Sequence, residues 1–250
     1  MPDSFIHAHW SAPSNVNCLV STREGGVSQG NFAEFNLGLH VGDNPEAVGI
    51  NREKLQLMLG RHRRIQWLEQ VHGTRVFRVD AAATERLPRA DGLYTREKSV
   101  VCAVLTADCL PVCLCASDGS EIGIAHAGWR GLAGGVLENT LACFRSPPER
   151  IMAWLGPAIG PCHFEVGGEV RGAFLNGGSL PADVDRAFRP SAKSGKWLAD
   201  LYALARGRLR TCGVTSISGG DLCTWCDDRR FYSYRRQAVT GRFATLVYLA

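Results

Sequence analysis

Between Val100 and Ala127 the chain carries three apolar runs, VVCAVLT, PVCLCA and EIGIAHA, rich in Val, Ile, Leu and Cys, with the turn cluster SDGS between the second and third. Short apolar runs of this composition, bounded by turn residues, read as successive β-strands. They constrain the fold tightly because their ends carry chemistry. If the strands are neighbours, Cys109 in TADCLPV and His126 in AHAGWRGLAGG fall on one edge of a sheet. His72 in QVHGTRV then has to arrive from a strand around RVFRVD.

Imidazole, thiolate and imidazole suit a zinc ion. Three protein ligands leave a fourth position open for water or substrate, the arrangement of a catalytic rather than a structural site. The three residues are too far apart to form a local ligand loop, so the fold itself must assemble them. A lone His or Cys is more often a packed core residue than a ligand. Here each sits beside a small or turn-forming residue, Gly73, Pro111 or Gly128, where a side chain can face a cavity. Two other readings stand beside zinc. Two histidines and a cysteine are also the blue-copper ligand set. A multicopper oxidase centre, however, needs many more paired histidines than the seven of this chain, of which only His7 and His9 form HxH. A metal-free Cys109 and His126 pair reads instead as the activated nucleophile and base of an amidase-type hydrolase.

In chain order, STREGGVSQG, NLGLHVGD, NREKL, QVHG, ADGLYT, TADCLPV, AHAGWRG, LGPAIGPCHFEVG, CTW, FYSYRR and TGR resemble the YfiH family, from about Ser21 to the C-terminus. Members of that family are known as laccase-like polyphenol oxidases and as zinc-dependent purine nucleoside phosphorylases with adenosine deaminase activity. Relatives have also been linked to the editing of peptidoglycan precursors. The resemblance implies an α+β fold, with mixed β-sheet layers flanked by helices in an α/β/β/α sandwich related to a bacterial toxin's deamidase domain, and not a cupredoxin. It implies that His72, Cys109 and His126 are zinc ligands and that purine nucleosides and phosphate are the substrates.

Further site candidates come from turns. Gly25 and Gly26 beside Arg23 allow a close backbone approach, so that guanidinium is a candidate phosphate contact. GWRGLAGGVLENTLACF carries Leu132, Val136 and Leu141 at helical spacing. A helix starting beside the metal would aim its unpaired N–H groups and Arg130 at phosphate. Asn36 and Asp91 sit beside turns in motifs that match the family's, as candidate hydrogen-bond partners of a ribose or purine edge. The zinc nucleobase deaminases use HxE and PCxxC, whereas this chain has HAG at 126–128, so deamination by that route is excluded. Asp108 is an acid beside Cys109, but strand alternation turns its side chain away. The pair in CTWC, Cys223 and Cys226, has the spacing of a redox pair or half of a zinc site. No second CxxC completes it, and the family motif covers Cys223 and not Cys226.

The remaining architecture follows from periodicity and punctuation. NPEAVGINREKLQLMLG reads as a helix capped by Asn44, with Pro45 in its first position and Gly60 at its end. WLADLYALARGRLRTCG reads as another, amphipathic and remote from the site. IMAWLGPAIG and GRFATLVYLA read as further strands. GGSLPADVD reads as a loop or helical insert. No linker, repeat or low-complexity run divides the 250 residues, so one catalytic domain over 1–250 is expected. A net charge of +4 with arginines scattered outside RHRR at 61–64 and the RR pairs near 229 and 235 is too thin for a nucleic-acid stripe. No apolar run is long enough to span a bilayer, and MPDSFIHAHW has no basic region followed by an apolar stretch. The ten cysteines are therefore expected to be reduced thiols in a cytoplasm, with Cys102, Cys113 and Cys115 filling the core. The sequence leaves the oligomeric state open.

Overall fold

Side chains along the strand Val100–Thr106 alternate between two covers. Val100, Cys102 and Val104 pack on one side, Val101, Ala103 and Leu105 on the other, and all six are buried. A period of two with both sets apolar demands a layer on each face. In the computed structural model, which describes residues 5–80 and 87–250, both layers are present. The first four residues of the MPDSFIHAHW stretch lie outside the described residues.

Val100–Thr106 belongs to a five-stranded sheet ordered Phe5–His7, Val16–Ser21, Phe243–Leu249, Val100–Thr106 and Arg64–Gln66. A six-stranded sheet runs Ser216–Gly219, Ile151–Leu155, Leu110–Ala116, Ile122–Ala127, Gly92–Thr95 and Val76–Val79. The two sheets pack on each other through Cys18, Val20, Cys102, Val104, Cys113, Cys115, Ile122 and Ile124. The helix Pro45–Leu59 covers the outer face of the first through Leu55 and Leu59, against Leu19, Val101 and Leu246. The helices Trp129–Gly134, Val136–Leu141 and Leu201–Thr211 cover the outer face of the second through Leu132, Val136, Leu137, Leu204 and Leu209. This is the expected α/β/β/α order. Each such fully buried leucine contributes about 1.5–3 kcal/mol. The cysteines between the sheets are free thiols. Burial pushes Cys115 up to about 12 and Cys102 further still, which keeps both neutral and inert.

Helix Pro45–Leu59 begins and ends as its sequence dictates. The Asn44 side chain accepts from the Glu46 amide at 2.8 Å, and Gly60 leaves the helix at φ 88°. Three other expectations need correction. The first two apolar runs are not neighbours in one sheet. The chain crosses from the five-stranded to the six-stranded sheet at 107–109, and only Leu110–Ala116 pairs with Ile122–Ala127, antiparallel, with Leu110 opposite Ala127. The helix after His126 breaks in two at Gly135, which takes φ 103°. WLADLYALARGRLRTCG opens as the strand Lys196–Ala199 and becomes helical only after Asp200, whose carboxylate caps it by accepting from the Ala203 amide at 3.0 Å. The GGSLPADVD segment is helical over Pro181–Ala187. It packs near a small sheet ordered Glu165–Gly167, Lys196–Ala199 and Phe188–Pro190.

Candidate metal centre

The crossing at 107–109 puts Cys109 at the seam between the two sheets. His126 lies opposite Pro111 in the antiparallel pair, so its side chain reaches the same seam from the six-stranded sheet. His72 comes from the turn ahead of Val76–Val79 rather than from that strand. The ligand atoms of the three residues lie within 4.8 Å of one another, with Cys109 Sγ 3.8 Å from His72 Nε2. A tetrahedral ion with bonds of about 2.3 Å to sulfur and about 2.0–2.1 Å to nitrogen needs an N···S edge of about 3.6 Å. The donor set fits a metal ion. Gly128 makes room for it, since a Cβ there would fall 2.9 Å from Cys109 Sγ and 3.1 Å from His72 Cδ2. Among the described residues only His72 (φ 57°) and Asp108 (φ 97°) are non-glycines with positive φ. Strain of this sort persists where the surroundings over-determine it.

One carboxylate organises both histidines. Asp91, fully buried, accepts from the amides of Val71 (3.2 Å), His72 (2.9 Å) and Gly73 (2.7 Å) and sits 2.8 Å from His126 Nδ1. With Nδ1 donating to Asp91, the His126 ring leaves Nε2 as the nitrogen a metal would take, the pattern that fixes tautomer and orientation in metal-ligating histidines. Burial alone would raise the Asp91 carboxyl. The hydrogen bond and charge of His126 and the amides of Gly73 and Val71 outweigh it and hold that carboxyl below its ordinary range. Burial likewise pushes the Cys109 thiol up, but His126 and His72 together draw it down to about 6. The His126 imidazole, opposed by burial, is lifted to about 9 by Cys109 and Asp91. The centre is therefore arranged to carry a thiolate.

The three ligands open into a cavity of about 440 Å³ whose wall includes Trp129, Arg130, Phe164, Tyr234, Arg235 and Arg242. That volume is in the range of small-ligand sites. Arg130 stacks on Trp129, 4.3 Å from its ring centre, and makes no hydrogen bond or ion pair to protein among the described residues. The six-residue helix it sits in, Trp129–Gly134, is too short to carry much of a dipole, so the guanidinium is the stronger part of the expected anion seat. The other candidates are placed differently. Arg23 does not line the cavity. Its Nε donates to Ala33 O at 2.9 Å and its Nη1 to Asp228 O at 3.1 Å, over the Tyr232 ring, so it holds loops together. Asn36 is buried and accepts from the Gly38 and Arg242 amides at 2.9 and 2.8 Å, which makes it a positioning residue for Arg242. Asp91 acts through the histidines and does not line the cavity. The helix Leu201–Thr211 is not remote, because Leu201 forms part of the wall.

Reading the sequence left several polar wall residues without a role, four of them in motifs it had singled out. Arg242 and Arg235 come from TGR and FYSYRR, Gln70 from QVHG and His40 from NLGLHVGD. The available signal was polar residues in turn motifs beside the ligands. Asp108 explains the approach of Arg235. Its buried carboxylate accepts from the Arg235 amide at 2.7 Å and from Thr224 Oγ1 at 2.7 Å, so it serves as an anchor, turned from Cys109 by the seam's geometry rather than by strand alternation.

Comparison with known proteins is consistent along nearly the whole chain. Residues 17–250 match the family described as multi-copper polyphenol oxidoreductase laccase. The chain is 49% identical over 247 residues to a purine nucleoside phosphorylase of Pseudomonas aeruginosa, with 99% of each chain covered. It is 48% identical over 244 residues to the purine nucleoside phosphorylase YfiH of Escherichia coli, with 98% of each covered. Among solved structures, a Neisseria meningitidis protein aligns with a TM-score of 0.92 at 49% identity, covering 98% of this chain and 99% of that one. YlmD from Geobacillus stearothermophilus aligns at 0.87 with 33% identity and 99% of each covered.

Proposed function

The chain belongs to the YfiH family, the one described as multi-copper polyphenol oxidoreductase laccase, and from that membership we propose that it is a zinc-dependent purine nucleoside phosphorylase. It takes adenosine, inosine or methylthioadenosine with phosphate and yields the free base and a pentose 1-phosphate. The observation that carries this reading is the meeting, in one cavity, of His72, Cys109 and His126 with the unpaired guanidinium of Arg130. Ten free thiols suit a reducing, cytoplasmic setting. Among the described residues no helix is long and apolar enough to cross a membrane.

His72, Cys109 and His126 would hold a zinc ion, which would supply Lewis acidity to the bound substrates. The chain's own residues do the rest. Arg130 binds the phosphate dianion, and the field of Arg235 and Arg242 on the wall of the same cavity keeps that anion near the sugar carbon as positive charge develops there. Trp129 and Tyr234 offer ring faces for the purine. Leu105, Ile159 and Leu201 exclude water from the reacting bond. Asp91 holds His126 in one tautomer throughout.

A copper oxidase fits less well, because of seven histidines only His72 and His126 join the ligand group with Cys109. A cysteine–histidine amidase has one observation in its favour, the ordering of Cys109 near 6 and His126 near 9, which makes a thiolate–imidazolium pair when metal is absent. Incubation with adenosine in phosphate and phosphate-free buffer, with products separated, decides among them. Phosphate-dependent adenine release supports the proposal. Inosine as the product shifts the reading to deamination, and neither product from zinc-loaded protein rejects it in favour of the amidase.

A further inference from the structure

A second set of ligand-type side chains lies outside this cavity. His163, Cys223 and Cys226 also place their ligand atoms within 4.8 Å of one another, and Cys226 Sγ is 3.5 Å from His163 Nδ1. The N···S edge of a tetrahedral zinc site is about 3.6 Å, so the pair already stands at ligand spacing. The scaffold that brings them together is specific. Ala158 and Cys223 form an isolated parallel bridge, and the Thr224 amide donates to Ala158 O at 3.0 Å. The Gly160 amide donates to Cys223 Sγ at 3.2 Å, and a Cβ at Gly160 would press on that sulfur at 3.0 Å. Trp225, between the two cysteines, stacks flat on the His163 ring at 3.8 Å and 13°. That contact fixes the face of the imidazole and leaves Nδ1 toward the thiol.

The geometry points to His163, Cys223 and Cys226 as a second metal-binding site, separate from the catalytic centre and structural in role, for a thiolate-preferring divalent ion such as zinc. The CxxC spacing of Cys223 and Cys226 alone suits a disulfide pair equally well. The added imidazole at ligand distance is what a disulfide has no use for and a metal requires. A search for a partner CxxC misses it, since the third ligand is a single histidine sixty positions earlier in the chain.

The placement gives the site a purpose. Thr224, inside the CxxC turn, donates to Asp108 Oδ1 at 2.7 Å, one residue from the Cys109 ligand. Arg236 ties the same turn by donating to Thr224 O at 2.7 Å and Trp225 O at 3.0 Å. Tyr234 and Arg235, which form part of the catalytic cavity wall, lie just upstream of Arg236. An ion on His163 and the two cysteines would pin the whole 223–236 segment to the end of the strand Ile151–Leu155, and with it that side of the cavity.

The test reads metal content and coordination, not turnover. Full-length Cys109→Ala protein, which lacks the thiolate of the catalytic centre, is loaded with cobalt(II). It is expected to retain about one equivalent of ion with a thiolate-to-cobalt charge-transfer band. Adding Cys226→Ser or, separately, His163→Ala should remove both ion and band. Two different second substitutions are used so that a folding failure in one, checked by circular dichroism, leaves the other decisive. The inference is overturned if Cys109→Ala protein binds no cobalt. It is also overturned if the band survives His163→Ala in folded protein, or if chain purified under reducing conditions carries a Cys223–Cys226 disulfide.

Discussion

The two His/Cys clusters draw on the same kinds of donor, two imidazoles and one sulfur in the first and one imidazole and two sulfurs in the second, in different surroundings. His72, Cys109 and His126 stand at the seam of two sheets, braced by the buried carboxylate of Asp91, and face a cavity of about 440 Å³ walled by arginines and aromatic rings. His163, Cys223 and Cys226 stand on the surface, braced by a Trp225 ring and a backbone bridge, with Cys226 exposed. A carboxylate behind an imidazole raises its basicity and fixes its tautomer. A stacked indole only holds its plane. Ligand identity therefore says that a metal can bind, while the second layer and the space beside it say what bound metal is for.

The sharpest way to break this contrast is to remove one sulfur from each cluster. Cys109→Ala is expected to abolish phosphorolysis, by at least about 100-fold in kcat/KM, and to empty the cavity centre. Cys226→Ser should cost less than about ten-fold, mostly in KM, through a looser 223–236 segment. Metal analysis and adenine release on both variants measure the difference, and equal losses would erase the distinction between the clusters. Next in size is Asp91→Asn, which leaves the cavity wall untouched. It should weaken metal retention or turnover by about 10–100-fold, read by competition with a chelator. Retention equal to wild type would reduce Asp91 to a turn former.

The smallest expected effect distinguishes the thiols themselves. Cys109 is drawn down to about 6, whereas Cys226 is held above its ordinary range, chiefly by its hydrogen bond with Cys223. In metal-stripped protein at pH 7 Cys109 is mostly thiolate, and its alkylation should outpace that of Cys226 by about ten-fold despite its lesser exposure. A lowered value means that the advantage is present above about pH 6 and fades as the pH falls through it. Peptide mapping of iodoacetamide adducts across that range checks both rate and sign, and Cys226 labelling first would reverse the contrast.

The meeting of His72, Cys109 and His126 was readable in part from sequence because each stands beside a small or turn residue, although His72 rides on a turn and not on the strand Val76–Val79. The α/β/β/α order was readable through resemblance, and the capped helix Pro45–Leu59 directly from Asn44, Pro45 and Gly60. The layer crossing at 107–109 was not, since apolar runs buried on both faces look alike whether they share a sheet or face each other across a core. Nor was the break at Gly135, because glycine is tolerated in helices and only the tertiary environment selects a positive φ. Arg235 and Arg242 reach the cavity through hydrogen bonds of their own amides to Asp108 and Asn36. Contacts so distant in sequence leave no local pattern.

The seam has a mechanical consequence. Cys109 rides on the strip of chain that passes from one sheet to the other, while His126 is rooted in the six-stranded sheet alone. Any sliding of the layers stretches or shortens the gap between sulfur and imidazole. An ion gripping both would act as a rivet through the sandwich, so the reacting cavity and the stiffness of the surrounding fold are governed by the same bonds.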